Sequence, residues 1–482
     1  MHDAAHEPLR HRLPGSVEKF LHRAFHTASS HRPWGSTSRR PRRGFVAYTR
    51  RVMTKRRARA AWAGALVIGI GGSSLAACSS PSPVAIPDTP VSTASTVAPA
   101  VDDNVFRLGV LLPSSGAGAS IGESELAGVR VAIDLARSDG GVNGQNVELA
   151  VRDEGADAVT AGVALQQLLD ANVDAIIGPG SSTVAIAIAP TIVESGVAAC
   201  SPSASALALD GYPDKNLFFR TIASDSLQAE AMAAVIEQTG ETSASVAYVD
   251  DGYGRPFEAA LEAALRARGI TVSDAVGYAV DDSEYATEAV RVANAGNGAI
   301  ALIGDPDAGP RVLGSIAQAI GSQPRDIVVN DALRRPWSIS LLASVSAASR
   351  ERIVGVSPYV RTDDSSFMNS IIAQDANASG LFATQAFDCA NLFMLAAQQT
   401  GSTLSSRLAS VIPDISTGGS ACASFAQCKR LIAANRNINY EGPSGRLALG
   451  SDGDVSTALF DEFSFDGTGR DVSQRQIEVH RS

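Results

Sequence analysis

Side chains able to do covalent chemistry are few in this sequence, and their placement excludes more than it suggests. Six of the seven histidines lie within the first 31 residues, and the seventh, His480, stands two residues from the C-terminus. Ser-His-Asp and Cys-His relays need an imidazole beside the nucleophile, and many zinc and iron sites use it as a ligand. The body of the chain offers none before His480. No nucleophile-elbow serine, Walker loop or G-x-G-x-x-G run stands at a strand-to-helix turn; Gly116-Ala117-Gly118 lacks the third glycine of the fingerprint. Carboxylates are plentiful, but nothing singles out an acid–base pair. The expectation is a protein that is not an enzyme and uses no metal or cofactor.

The other reactive groups are cysteines. Cys200, Cys389, Cys422 and Cys428 make an even set, which in an oxidising compartment invites disulfides. Cys422 and Cys428, six apart, would close a small loop at the start of a helix. Cys200 and Cys389 form the other possible pair, with free buried thiols as the alternative for both.

Charge points to that compartment. Fifteen of the 40 Lys+Arg but only three of the 50 Asp+Glu precede Cys78, so the chain from Cys78 onward has a net charge of about −22. Phosphate contacts need a cationic face, so a body this acidic excludes nucleic acid as a partner. Lys55, Arg56, Arg57 and Arg59 precede an apolar run, Ala60 to Ala77, in the layout of a secretory signal peptide. It ends in Leu75-Ala76-Ala77-Cys78, which resembles the lipobox of bacterial lipoproteins, where the cysteine becomes the lipidated N-terminus. The run is glycine- and serine-rich and short for a membrane-spanning helix, the competing reading. Residues 1–52 are basic and unlike a folded domain, and are read as a dispensable extension or a start placed too early, with 53–77 the signal peptide. Residues 78–103, rich in Ser, Pro, Thr and Ala, read as a lipidated cysteine and flexible tether with a reach of ~25–30 Å. The expected location is extracytoplasmic, anchored to the membrane through lipid.

From Asn104 short apolar runs alternate with amphipathic ones. Phe106 to Leu112, Val147 to Val151, Val173 to Ile177 and Val197 to Cys200 read as strands, with helices between them. A second cycle runs from Ser224 to Val356, followed by three helices. Two terminal strands, Arg446 to Leu449 and Ala458 to Phe465, are expected around an Asp452-Gly453 turn. This alternation predicts an α/β fold class: two doubly wound parallel-sheet lobes joined by a hinge.

Several loops in this order resemble those of type I periplasmic solute-binding proteins, the leucine/isoleucine/valine-binding class. They are Leu111-Leu112-Pro113-Ser114-Ser115-Gly116, Ile177-Gly178-Pro179-Gly180-Ser181-Ser182, Ser201-Pro202-Ser203-Ala204-Ser205 and Asp251-Gly252-Tyr253-Gly254. The pair Cys422 and Cys428 and the run Tyr440-Glu441-Gly442-Pro443-Ser444-Gly445 resemble the family's C-terminal features. The resemblance spans about Phe106 to Phe465 and implies a receptor that captures a small polar solute, an amino acid or related amide or carboxylate. It implies delivery to the permease subunits of an ABC importer. It also implies crossovers near Thr221, Tyr359 and Tyr440, giving lobe one as 104–221 with 360–439 and lobe two as 222–359 with 440–482.

The loops follow strands and precede helices, so they lie where open α/β sheets bind ligands. Free N–H groups at a helix N-terminus favour an anion. On the first lobe the ligand-binding candidates are Ser115, Ser181, Ser182, Ser203 and Ser205, with helix capping as their alternative use. On the second, Tyr253 would cover the solute, and Asp305 and Asp331 follow strands, with Asp331 the candidate partner for an ammonium group. The loop at Gly304 lacks the aromatics common in amino-acid binders. Two other readings remain open: a sensory envelope lipoprotein of the same fold, and an envelope protein that has lost its pocket.

Overall fold

The computed structural model describes residues 102–334, 342, 345–359, 365–376 and 378–481. Cys78, the signal-like segment 53–77, residues 1–52 and the tether up to residue 101 lie outside the described residues.

The first sheet is built from β1 (Arg107–Leu112), α1 (Ala119–Ser138), β2 (Glu148–Asp153), α2 (Ala158–Asp170), β3 (Ala175–Ile177), α3 (Ser182–Ser195), β4 (Ala198–Ser201) and β5 (Phe218–Arg220). Its strands are all parallel, in the order β2-β1-β3-β4-β5. Alternation along each strand feeds two faces. Leu108, Val110, Leu112, Ala175 and Ile177 pack with α1, while Leu111, Ile176, Ala199 and Phe218 pack with α2 and α3. Such strands, apolar on both sides, are what a doubly covered parallel sheet requires.

The second sheet follows through α4 (Asp225–Gln238), β6 (Ser243–Val249), α5 (Gly254–Ala267), β7 (Thr271–Tyr278), α6 (Ala286–Asn294), β8 (Ala299–Ile303), α7 (Gly309–Ile320), β9 (Ile327–Val329), the single turn α8 (Ala347–Arg350) and β10 (Ile353–Pro358). Its parallel part, β7-β6-β8-β9-β10, repeats the order of the first sheet. The chain then returns with α9 (Ser365–Gln374), α10 (Ala383–Thr400) and α11 (Ser405–Ser416), which cover the first sheet beside α1. Helix α10 is buried on nearly every side, as its apolar sequence demands. A small parallel pair, β11 (Ser420–Cys422) and β12 (Ile438–Tyr440), flanks α12 (Phe425–Ala433). Both expected cysteine pairs are bonded: Cys200 in β4 to Cys389 in α10, and Cys422 to Cys428.

The chain ends in a hairpin, β13 (Thr457–Phe465) and β14 (Asp471–His480), added antiparallel to β10. This corrects one expectation. Arg446–Leu449 is not a strand, and Leu449 makes only an isolated bridge to Val455. The hairpin turn is Asp466–Arg470 instead, where Asp466 accepts from the backbone N–H groups of Thr468 and Arg470. Gly453 is held elsewhere: its carbonyl accepts from Arg220 N at 2.9 Å, and a Cβ there would meet Phe218 O at 2.2 Å. The Asp452-Gly453 turn thus docks on the edge of the first sheet.

Candidate functional site

In the order 2-1-3-4-5 the strands on either side of β1 connect in opposite directions, opening a crevice between the carboxyl ends of β1 and β3. The second sheet makes the same crevice between β6 and β8. A cavity of about 260 Å³ lies where these edges meet, and all eight residues predicted as ligand contacts line it: Ser115, Ser181, Ser182, Ser203, Ser205, Tyr253, Asp305 and Asp331.

Several of them also hold loops. Ser181 caps α3, its Oγ accepting from Val184 N at 3.4 Å. Ser182 Oγ accepts from Ala206 N at 3.2 Å, and Ser203 Oγ donates to Gly180 O at 2.9 Å, lacing the second and third loops together. On the other side, Asp305 Oδ1 accepts from Asp307 N and Ala308 N, and Tyr278 Oη donates to Oδ2 at 2.8 Å. Asp331 Oδ1 accepts from Gln228 Nε2 at 2.8 Å, and burial raises its carboxyl above the usual carboxylate range. The bland use of these residues and the ligand-facing one coexist at the same positions.

Residues that sequence reasoning missed complete the site. Glu154, just past β2, lines the cavity, is fully buried, and accepts from Gly180 N at 2.6 Å and Ser181 N at 2.8 Å. Burial pushes its carboxyl up to about 7, against the opposing pull of those two N–H groups. Glu125 of α1 lies behind Gly180, where an added Cβ would come within 3.2 Å of its Oε2. Asp225, at the first turn of α4, lies behind Ser205, whose carbonyl accepts from Asp225 N at 2.9 Å. Both carboxyls are wholly buried and their oxygens lack hydrogen-bond partners, so desolvation lifts them well above the usual range. The Ser203 hydroxyl is near enough to ease ionisation of Glu125, and Ser205 does the same for Asp225. The Ser203 proton, however, is directed to Gly180 O. A signal for Glu125 was present: it falls on the apolar stripe of α1 with Gly128, Val129 and Ala132.

Asn330, also missed, is wholly buried. It holds Gly304 through both backbone groups and donates to Tyr253 Oη at 3.0 Å, fixing the ring at the cavity wall. Opposite stands Phe382, a bulky residue at φ +57° that packs on Ile222 and Leu381. A non-glycine side chain there costs on the order of 1–3 kcal/mol, and such strain concentrates at functional sites.

The charge of the lining is one-sided. Among the described residues it contains Glu154, Asp251, Asp305, Asp307 and Asp331, and no Lys, Arg or His. The guanidiniums that act electrostatically on Asp225 and Asp331 are already paired: Arg220 with Asp454 and Asp210, and Arg334 with Asp461 and Asp471. A second cavity, of about 230 Å³, is lined by Thr221, Tyr359, Ser444 and Leu447, so the three segments expected to cross between lobes converge there.

Residues 105–458 match the family described as periplasmic binding protein. A chemotactic signal transduction system substrate-binding protein of Halobacterium salinarum is 27% identical over 366 residues, covering 71% of this chain and 83% of that one. Among solved structures, a leucine-binding protein of Thermotoga maritima aligns with a TM-score of 0.63 at 20% identity, over 77% of this chain and 99% of its own. A benzoate-bound solute-binding protein of R. palustris aligns with a TM-score of 0.63 at 18% identity, over 78% and 98%.

Proposed function

The chain belongs to the periplasmic binding protein family, and from that premise we propose that it is an extracytoplasmic receptor for a small polar solute. The solute docks on the first lobe's loops, contacts from the second lobe stabilise the closed form, and an ABC permease reads that form. The observation that carries this reading is a cavity lined by strand-end loops of both sheets, with every predicted contact residue on its wall. Thr221, Tyr359 and the segment after Tyr440 serve as the hinge. Asp331 pairs with a nitrogen-bearing group on the solute, and Tyr253 covers it. Cys78 anchors the protein through lipid, which metabolic labelling with a fatty acid tests, the label being lost in Cys78→Ser.

Thermal unfolding of the purified protein against amino acids, amides, urea, amines, small carboxylates and purines tests the receptor reading. A ligand at 100 times its dissociation constant adds about 2.7 kcal/mol of stability, a clear melting shift. Asp331→Asn should abolish most of that shift while leaving the ligand-free melting point little changed. A flat response to every class refutes the reading.

One observation favours a second reading, a sensory receptor: the Halobacterium relative is named for chemotactic signalling. Uptake of the identified solute by cells lacking the gene separates the two. Transport predicts loss of uptake, whereas sensing predicts unchanged uptake with a lost response.

A further inference from the structure

We propose that the cleft selects a small organic cation, carrying a protonated amine or guanidinium group and no carboxylate. The inference rests on the solute-receptor reading and narrows it to a chemical class.

Three separate observations converge on it. First, the anion site expected at the N-terminus of α3 is already filled by the protein itself. The Gly180 and Ser181 N–H groups that would receive a solute carboxylate donate to Glu154 instead, at 2.6 and 2.8 Å. An incoming carboxylate would have to displace Glu154 or lie against it. Second, among the described residues the wall carries five carboxyl groups and no cationic side chain, and the guanidiniums of Arg220 and Arg334 behind it are bound to other carboxylates. Hydrogen bonds from backbone N–H groups, as at Asp251 and Asp305, orient a carboxylate without removing its charge. Third, Glu125 and Asp225 are wholly buried directly behind the wall at Gly180 and Ser205, with only the Ser203 and Ser205 hydroxyls near enough to ease their ionisation. A buried carboxyl of this kind keeps its proton unless a positive charge comes close enough to stabilise the ionised form. A bound ammonium or guanidinium group supplies it.

The remaining wall fits the apolar part of such a molecule. Tyr253 and Phe382 present aromatic rings, and a ring face attracts a desolvated cation. The arrangement also links charge to closure. Glu154 belongs to the first lobe, whereas Asp331, Asp305, Asp307 and Asp251 belong to the second. Bringing these groups together repels; a cation between them turns repulsion into attraction, so closure depends on the charge of the occupant.

The test is titration calorimetry of the purified protein at low ionic strength with matched compounds of three to six carbons. The sets are α,ω-diamines, ω-amino amides, ω-amino acids and dicarboxylates, with 4-aminobutylguanidine added. The diamines, the amino amides or the guanidine should bind, at least tenfold tighter than the amino acid of the same length, and the dicarboxylates should not bind. Affinity should fall as salt is added. Glu154→Gln should weaken the best cation at least fivefold while narrowing its margin over the matched amino acid. An amino acid or dicarboxylate binding as well as its cationic counterpart overturns the inference and leaves the receptor reading standing. So does binding confined to neutral solutes. Failure of these compounds and of every class in the unfolding panel removes both.

Discussion

Glu154 permits a quantitative test of the site's electrostatics in the ligand-free protein. Its carboxyl moves from 4.5 to about 7 on folding, with burial the largest cause. A carboxyl raised in the folded state holds its proton more tightly there than in the unfolded chain. Its favourable contribution is therefore complete below about pH 4.5 and is lost as pH rises through 7. Between pH 5 and 8 the loss comes to about 2–3 kcal/mol, or about 3 °C in melting temperature for a body of this size. Glu154→Gln abolishes the titration while retaining one acceptor oxygen. The measurement is the difference between wild-type and variant stability across that pH range, by chemical or thermal unfolding. Asp388, buried and also raised to about 7, titrates in both proteins and cancels. Glu125 is coupled to Glu154 by like charge, so Glu125→Gln should shift the curve in the same direction and the double variant by less than the sum. The wild type should lose stability relative to Glu154→Gln as pH rises; parallel curves, or a wild type that gains, would refute the argument.

The two disulfides should differ in value because they close very different loops, with sequence separations of 189 and 6. Loop entropy gives about 5 kcal/mol for Cys200–Cys389 and about 2 kcal/mol for Cys422–Cys428, so replacing the first pair by alanines should lower the melting point more. The reverse order would show that native packing, rather than loop length, governs. At the α1–α10 crossing, Gly128→Ala puts a Cβ 2.1 Å from Ala383 O and should cost about 1–3 kcal/mol despite alanine's helix preference. Gly162→Ala in α2, with nothing within 4 Å of its Cβ, should instead stabilise by about 0.5–1 kcal/mol. Equal melting points for the two variants would sink this packing argument.

The strand-end loops were legible because each couples a buried apolar run to a helix start, a pattern carried by neighbouring residues. That pattern places Ser181, Ser205, Tyr253 and Asp331 at the carboxyl edges of the strands from sequence alone. Strand β14 was not legible, because Asp471–His480 alternates mostly among exposed polar positions and becomes a strand only by pairing with β13. Strand β5 is three residues long, too short for any period. The Asp452-Gly453 turn does not join the terminal strands because its partner is Arg220, more than 200 residues away. Glu154 and Asp225 were hidden for a different reason. An acid after a strand or at a helix start reads as a cap, and only the three-dimensional packing shows that these carboxyls are buried beside the serines.

The interleaving of the two sheets governs when this molecule can finish folding. The helix that covers the first sheet, α10, is translated only after β6 to β10 of the second. The second sheet in turn receives its last strand from the final dozen residues. Neither half is a continuous stretch of polypeptide, so each sheet is completed only by segments that follow β10. Loss of Asp471–His480 would leave β13 as a bare sheet edge, an invitation to pair with another chain.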